Sequence, residues 1–405
     1  MSPRSTRAAL VATFVVFVFN GFVFATWAAR IPAAAQILQL SSGQIGGLLL
    51  FGAVGSLLAL PLSGAVVGRL GSANSVRLGA GVAAAGAAAL GGALTVASVP
   101  LTGVALFVLG IGIAVWDVSM NIQGTDVERA LRATVLPKFH AGFSGGAFIG
   151  ALVGAGMAGA GVDLPAHLWG IVVLAVIAMA VIPRWFLPDA VHEPDGGPPP
   201  GRLDAWREPR TLVLGLIVLG AALTEGAAND WIAKAAVDGL GVDEAAGALT
   251  FAAFVLSMTV FRYAGSALVD RFGRVAVLYA SFGTGLVGVL LFVLAPGVLP
   301  ALIGAVLWGA GAAMGFPLGI SAAADEPRRA AARVSVVTTI GYSAFLAGPP
   351  VLGFLGDRVG IRSALLAVGV VALASTVAVR AARPPATASS RPGGTPQVES
   401  TDRTR

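Results

Sequence analysis

The sequence predicts an all-α membrane protein of twelve transmembrane helices in two six-helix pseudo-repeats, with both termini on the cytoplasmic side. Three observations carry that prediction. Of 405 residues, 56% are apolar and only 11% charged, against roughly 45–50% and about 25% in soluble domains. Stretches of membrane-crossing length recur along the chain, and the second half repeats motifs of the first in the same order. This composition excludes a soluble enzyme. The absence of cysteine excludes disulfides, thiolate catalysis, iron–sulfur clusters and cysteine zinc sites. Glycine, at 55 residues, shows no Gly-X-Y period and so belongs to closely packed helices.

A hydrocarbon core about 30 Å thick requires roughly 20 apolar residues per helix. Twelve stretches meet this requirement: 10–29, 44–67, 76–97, 101–123, 139–160, 167–187, 211–233, 244–269, 274–294, 300–323, 334–355 and 363–379. The first follows Arg4 and Arg7, as a signal peptide would, but it spans a full bilayer and eleven similar stretches follow, so it is read as retained. Between the sixth and seventh stretches lies Glu-Pro-Asp-Gly-Gly-Pro-Pro-Pro-Gly, which cannot be helical and reads as a solvated linker. The chain therefore divides into an N-terminal half (1–187), a cytoplasmic linker (188–210), a C-terminal half (211–382) and a tail (383–405). The Pro, Ser, Thr and Arg content of the tail predicts disorder.

With the N-terminus inside, 21 of the 26 Lys and Arg residues fall on the cytoplasmic side, four (Arg30, Lys234, Arg358, Arg362) outside, and one, Arg262, within a helix. This positive-inside bias accounts for a net charge of +6 without any need for nucleic acid. Two lysines beside 24 arginines point to a GC-rich bacterial genome; the expected location is a bacterial inner (plasma) membrane.

Self-comparison supplies the repeat. Trp27-Ala-Ala-Arg30 matches Trp231-Ile-Ala-Lys234 at an offset of 204, and Arg69-x-Gly71 matches Arg271-x-Gly273 at 202. Gly110-x-Gly112-x-Ala114 matches Gly309-x-Gly311-x-Ala313, and Gly142-Phe-Ser matches Gly341-Tyr-Ser, both at 199. Four ordered matches drifting by only five residues argue for duplication, and two halves starting on the same side are related by an axis along the membrane normal.

The Asp270-Arg-x-Gly-Arg274 loop, its degenerate copy at Gly64 to Gly71 and the twelve stretches resemble the major facilitator superfamily. Trp27-Ala-Ala-Arg-Ile-Pro32, Asp117-Val-Ser-Met-Asn121, Phe139-His140-Ala-x-Phe-Ser144, Glu225-Gly-Ala-x-x-Asp230-Trp231 and Gly348-Pro-Pro350 resemble its fucose-permease-like branch around the bacterial inner-membrane protein YbjJ. The resemblance implies alternating-access transport, often driven by protons, with a helix-four acid handling the proton. It also implies a cytoplasmic ion-pair latch formed by Asp270, Arg271 and Arg274, with a weaker copy at Arg69 because Gly68 stands where the acid should be. The branch has an acid in its first helix where this chain offers Asn20, Trp27 and Arg30.

Ionisable groups inside a bilayer cost at least about 2.5–3.5 kcal/mol on insertion scales, so each is a functional candidate. Asp117, in the fourth stretch about 24 Å from its outer end, leads: a carboxylate that is neutral in one state and ionised in the other is what proton coupling requires. Asn121 stands one turn on. In the seventh stretch Glu225 and Asn229 share a face, whereas Asp230 is expected to pair with Lys234. Glu225 is the second candidate for the proton. Asn20 and Trp27 face one way and offer an amide and an aromatic plate to a polar ligand; Trp27 and Trp231 serve either the cavity or an interfacial belt. Arg262 is expected to pair with an acid or to bind an anionic group. His140 is either a proton relay or a solvated cap, and His167 and His192, in or beside loops, receive no role.

Gly142, Gly146, Gly150 and Gly154 form a four-residue stripe expected to be the sliding seam between the halves. Pro317 and Gly348-Pro349-Pro350 are expected to break their helices at a moving gate. Matches to G-x-S-x-G at Gly142 and to G-x-G-x-x-G at Gly154 lie inside apolar helices with no preceding strand and are rejected. No metal or phosphate-binding motif occurs.

The expected function is secondary active transport of a small polar organic solute by proton symport, through a midplane cavity lined by the first, fourth, seventh and tenth helices. No cofactor is needed beyond a proton gradient, and the chain is expected to work as a monomer in the bilayer. Proton-antiport efflux of a drug-like compound is the alternative: a cavity built on Asn20, Asn121 and Asn229 favours the former, an apolar cavity with one acid the latter. A non-transporting receptor or scaffold would not need these acids, and a membrane enzyme would need a nucleophile, a base and an oxyanion donor that cannot be placed together.

Overall fold

Helix boundaries follow the hydropathy where it is unbroken and depart from it where polar groups find partners. In the computed structural model residues 3–133, 135–188, 204–326 and 329–383 are described; the segment 189–203 and the tail 384–405, where solvation and disorder are expected, lie outside the described residues. The helices are α1 (Pro3–Ala29), α2 (Ile31–Leu38), α3 (Ser42–Leu70), α4 (Ser72–Thr95), α5 (Val99–Leu131), α6 (Leu136–Gly159) and α7 (Leu164–Val181), then α8 (Pro209–Leu240), α9 (Glu244–Phe272), α10 (Arg274–Leu294), α11 (Val298–Ala323), α12 (Ala330–Val359), α13 (Ile361–Ala364) and α14 (Leu366–Ala378). Twelve helices among the described residues are long and apolar enough to cross a membrane, α13 and α14 together supplying the last. We call the end of the bundle where α1 begins proximal and the opposite end distal.

Helix starts are set by side chains that satisfy free N–H groups. Ser41 and Gln44 form a reciprocal capping box at α3, while Asp163 accepts from Ala166 N (2.7 Å) at α7 and Asp243 from Ala246 N (2.8 Å) at α9. Helix α5 runs eight residues past the predicted end because its polar last turns find partners: Asp126 holds Arg129 at 3.2 Å, and Glu128 accepts from the N–H groups of Val135 and Leu136 at the start of α6 (2.7 and 2.9 Å). The α3–α4 and α9–α10 turns are the same object. Gly71 (φ 77, ψ 161) and Gly273 (φ 79, ψ 154) adopt a conformation open only to glycine, each donating back to the carbonyl four residues earlier at 2.8 Å.

The duplication is visible in packing. A Cβ at Gly110 would clash with the Gly52 carbonyl of α3, and one at its repeat mate Gly309 with the Phe254 carbonyl of α9. Gly112 meets Ala83 of α4, and Gly311 meets Gly285 of α10, with the facing residues again 202 apart. Thus α5 and α11 wedge between neighbours by backbone contact in matching register.

Two expectations are corrected. The glycine stripe of α6 is not the seam between the halves: Gly142, Gly146, Gly150 and Gly154 face Phe14, Val18, Phe22 and Ala29 of α1, inside one half. The halves meet instead where α6 packs on α9 and α3 on α12, with Gly46 against Pro349 and Gly353 against Ser42. Nor do the prolines break their helices. Helix α11 continues through Pro317 and α12 through Pro349 and Pro350, as buried transmembrane helices do when neighbours compensate the freed backbone groups.

Just before α8, Glu208 ties the proximal end of the second half together, accepting from Arg333 Nε (2.6 Å), Arg329 Nη1 (2.9 Å) and Thr211 Oγ1 (2.9 Å). Burial acts to raise its pKa, but the hydrogen bonds from Arg333 and Thr211 and the charges of Arg333 and Arg329 outweigh it and hold the carboxyl below its ordinary 4.5. A depressed folded-state value means the stabilisation is complete above pH 4.5 and is lost as pH falls through that lower value. The thermal midpoints of wild type and Glu208→Gln should therefore differ at pH 6–7 and converge in acid; a gap that does not narrow as pH falls below 4.5 would contradict this. For the helix packing, Gly146→Ala should destabilise by about 1–3 kcal/mol. Gly145→Ala, where a Cβ meets open space, should be neutral or slightly stabilising in the same unfolding measurement.

Candidate functional site

A cavity of about 310 Å3 lies at mid-depth between the halves. One half supplies Asn20 and Phe24 from α1, Ser56 and Leu57 from α3, Asp117 from α5 and Phe143 from α6; the other supplies Tyr342, Phe345 and Leu346 from α12. The lining therefore comes from the first, second, fourth, fifth and eleventh spans rather than the first, fourth, seventh and tenth. The reason is that α12 covers α8, with Phe345 seated on Gly226. Phe24 and Phe143 stack at 6.5 Å, and Tyr342 lies 6.2 Å from both Phe345 and Phe316.

Asp117 is the cavity's only ionisable carboxylate and has no cationic partner among the described residues. Asn121 donates through Nδ2 to the Asp117 carbonyl (2.9 Å) and, at 3.4 Å, to its Oδ1. The Tyr342 side chain lies within electrostatic reach of Asp117 from the other half. Asn20 is 2% exposed, and its Nδ2 has no hydrogen-bond partner among the described residues. The repeat explains why there is one acid: the register that pairs Gly110 with Gly309 places Phe316, stacked on Tyr342, where Asp117 stands in the first half.

Other expected site residues lie elsewhere. Arg262 donates to Glu225 (3.0 Å) and to the Ala313 carbonyl (3.2 Å), so cation and acid satisfy each other between α8, α9 and α11 and neither lines the cavity. His140 is exposed, edge-on to Phe17 at 5.3 Å, and within electrostatic reach of Arg262 across the α6–α9 contact. Trp231 is fully buried in the core, neither in the cavity nor at a lipid-facing belt, and Trp27 packs half-buried against that core. Asn229 is half-buried and outside the cavity lining. Asp230 does not pair with Lys234: the ammonium lies 2.7 Å from Asp238, one turn further on, where the carboxylate remains 41% exposed and keeps its hydration. Asp230 is left half-buried with no ion-pair or hydrogen-bond partner among the described residues.

The distal end is sealed by contacts between the halves. Arg30, 2% exposed, donates through Nε to Glu244 and through Nη2 to the Val162 carbonyl (3.1 Å), with His167 Nδ1 at 3.5 Å from its Nη1. His167, given no role from sequence, is 4% exposed and belongs to this cluster. Asp357 accepts from Ser41 Oγ and Gly43 N at the start of α3, both at 2.9 Å. Along α3 the cavity begins roughly 15 Å below this seal, the ten residues from Gly43 to Ala53.

At the proximal end the expected latch is differently wired. Arg274 forms a two-pronged pair with Asp325 (2.9 and 3.1 Å), which also takes Arg210. The more buried carboxylate accepts a planar fork better than exposed Asp270 can. Asp270 and Arg69 are exposed without ion-pair partners among the described residues, and Arg271 lies 5.2 Å from the Phe272 ring.

Sequence reasoning missed Phe143 and Tyr342, although both are the central residues of the Gly-Phe-Ser and Gly-Tyr-Ser repeat. It also missed the Arg30–Glu244 seal, whose partners are 214 residues apart. If that pair holds the distal end shut, Glu244→Gln should speed maleimide labelling of Ala53→Cys from the distal side several-fold. The cysteine-free chain gives no background, and unchanged labelling would remove the pair from the gate.

Comparison with known proteins agrees with this architecture. Residues 214–402 match the Major Facilitator Superfamily. An uncharacterized MFS-type transporter of Yersinia pestis is 30% identical over 380 residues, 92% of this chain and 94% of the relative. The crystal structure of the nucleoside transporter NupG shares the fold with a TM-score of 0.74 at 14% identity, covering 92% of this chain and 98% of the other. A single-residue variant of the E. coli fucose:proton symporter FucP does so at 0.59 and 18%, covering 93% and 99%. These relations make the chain a multi-pass membrane transporter of a small molecule and not an enzyme: it belongs to the major facilitator superfamily.

Proposed function

We propose that the chain exchanges protons for a small amphipathic organic compound by alternating access. The flat apolar part of the ligand lies between Phe24 and Phe143 of one half and Tyr342 and Phe345 of the other, and its cationic or hydrogen-bond-donating end meets Asp117. The observation that carries this reading is the cavity itself, an apolar, aromatic chamber with a single acid and no cation.

The coupling follows from electrostatics. A lone carboxylate sealed between apolar walls is costly while charged, so the empty carrier reorients only after Asp117 is neutralised. A proton does this on one crossing and the donor end of the ligand on the other. Because both compete for one carboxylate, transport becomes exchange. The distal seal and the unpaired proximal residues Asp270 and Arg69 fit a state open toward the end carrying the termini, which the positive-inside bias makes cytoplasmic. In this reading the membrane is the bacterial inner membrane.

Symport of a neutral polar solute has one observation in its favour: the unpaired, buried amide of Asn20 points to a ligand oxygen. Ligand-induced thermal stabilisation of the purified protein separates the two. Amphipathic cations should stabilise wild type, with affinity falling up to tenfold per pH unit on the acid side. Asp117→Asn should bind them at least tenfold more weakly with no pH dependence. Stabilisation by sugars or nucleosides alone, or unaltered pH dependence in Asp117→Asn, would sink the exchange reading.

A further inference from the structure

We propose that the lipid-facing groove between α1 and the turn that follows α7 holds one anionic phospholipid. The groove measures about 510 Å3 and is lined by Arg7, Val11 and Val15 of α1, by Ile182 and Trp185 of the Ile182–Trp185 turn, and by two alanines of α1. It is separate from the transport cavity, which opens between the halves.

Its chemistry is divided by depth. Arg7, Val11 and Val15 follow at four-residue spacing and share one face of α1, with Val15 roughly 12 Å along the axis from Arg7. The charged end of the groove therefore lies at the proximal membrane surface, and its floor runs into the hydrocarbon. Trp185 is 43% exposed at the level where indoles meet headgroups, and the Arg184 guanidinium lies 3.9 Å over its ring. Arg7 and Arg184 are both exposed, and neither has an ion-pair partner among the described residues. Two unpaired cations at the rim of an apolar cleft call for an anionic head with an apolar tail. An acidic phospholipid supplies both: its phosphate meets the two guanidinium groups, and its acyl chain covers Val11, 58% exposed, Val15 and Ile182.

The competing occupant is the chain's own segment 189–203, which begins just beyond the turn. It carries acids in Asp189, Glu193 and Asp195 but, besides four prolines, only Ala190, Val191 and Leu203 as aliphatic side chains, so it would neutralise the rim without a long side chain to fill the cleft.

Native mass spectrometry of the full chain in non-ionic detergent, titrated with phosphatidylglycerol or phosphatidylcholine, tests this. Wild type should retain one phosphatidylglycerol with at least fivefold preference over phosphatidylcholine. Arg7→Gln/Arg184→Gln should reduce that preference to parity. Val11→Trp, which fills the groove at an exposed position, should abolish tight binding of both lipids while leaving the lipid-free thermal midpoint unchanged. Equal binding of the two lipids by wild type, preference surviving in the double variant, or undiminished binding by Val11→Trp would each overturn the proposal. So would a several-fold gain in phosphatidylglycerol binding on deleting residues 190–202, which would make that segment the occupant.

Discussion

Lipid tails are as apolar as leucine, so two helices inside a bilayer gain little from hiding apolar side chains against each other, and their association rests on how closely their backbones approach. In this chain that approach is made through glycine. The stripe on α6 lets α1 lie against its main chain, and Gly110 with Gly112 does the same for α5 between α3 and α4, as Gly309 with Gly311 does for α11 between α9 and α10. Contacts of this kind leave few side-chain rotamers to rearrange, so each half behaves as a stiff block. The halves touch each other where α6 packs on α9 and α3 on α12, the latter contact again made through glycine, at Gly46 and Gly353.

In the proposed exchange, stiff halves make the cavity's single acid effective. Were the walls of the cavity soft, Asp117 could find water or a counter-charge whatever the state of the gate. In the proposed exchange, with the distal end closed by Arg30–Glu244 and by Asp357 on the start of α3, its charge depends on what enters from the other side. The second half carries Phe316 at the matching position and pairs its Glu225 with Arg262. The asymmetry between the repeats thus places the cavity's acid in one half, with an aromatic residue at the matching position of the other.

The fold was legible because it is written in contrasts that survive without coordinates: apolar runs against charged punctuation, arginines on one side, glycines at a fixed offset. Asp117 was legible for the same reason, as an acid where acids are costly. What escaped was whatever lacks contrast or spans distance. Phe143 and Tyr342 are aromatic residues in apolar helices and look like packing until their neighbours are known. Arg30 reads as one more cation outside the membrane, and its role exists only once α9 brings Glu244 to it. The glycine stripe of α6 is recognisable as a close-approach surface, yet spacing says nothing of which helix approaches, and the partner is α1 rather than the opposite half.

The matched glycine seams also bear on how such a chain can change over generations. At Gly110 and Gly309 the obstacle to a larger residue is the main-chain carbonyl of the facing helix, which no compensating side-chain change can remove. These positions are therefore closed to drift, whereas the cavity walls, built from side chains, remain open to it. A duplicated gene under that rule keeps its scaffold alike in both copies and diverges at and around the cavity, as the pairing of Asp117 with Phe316 illustrates.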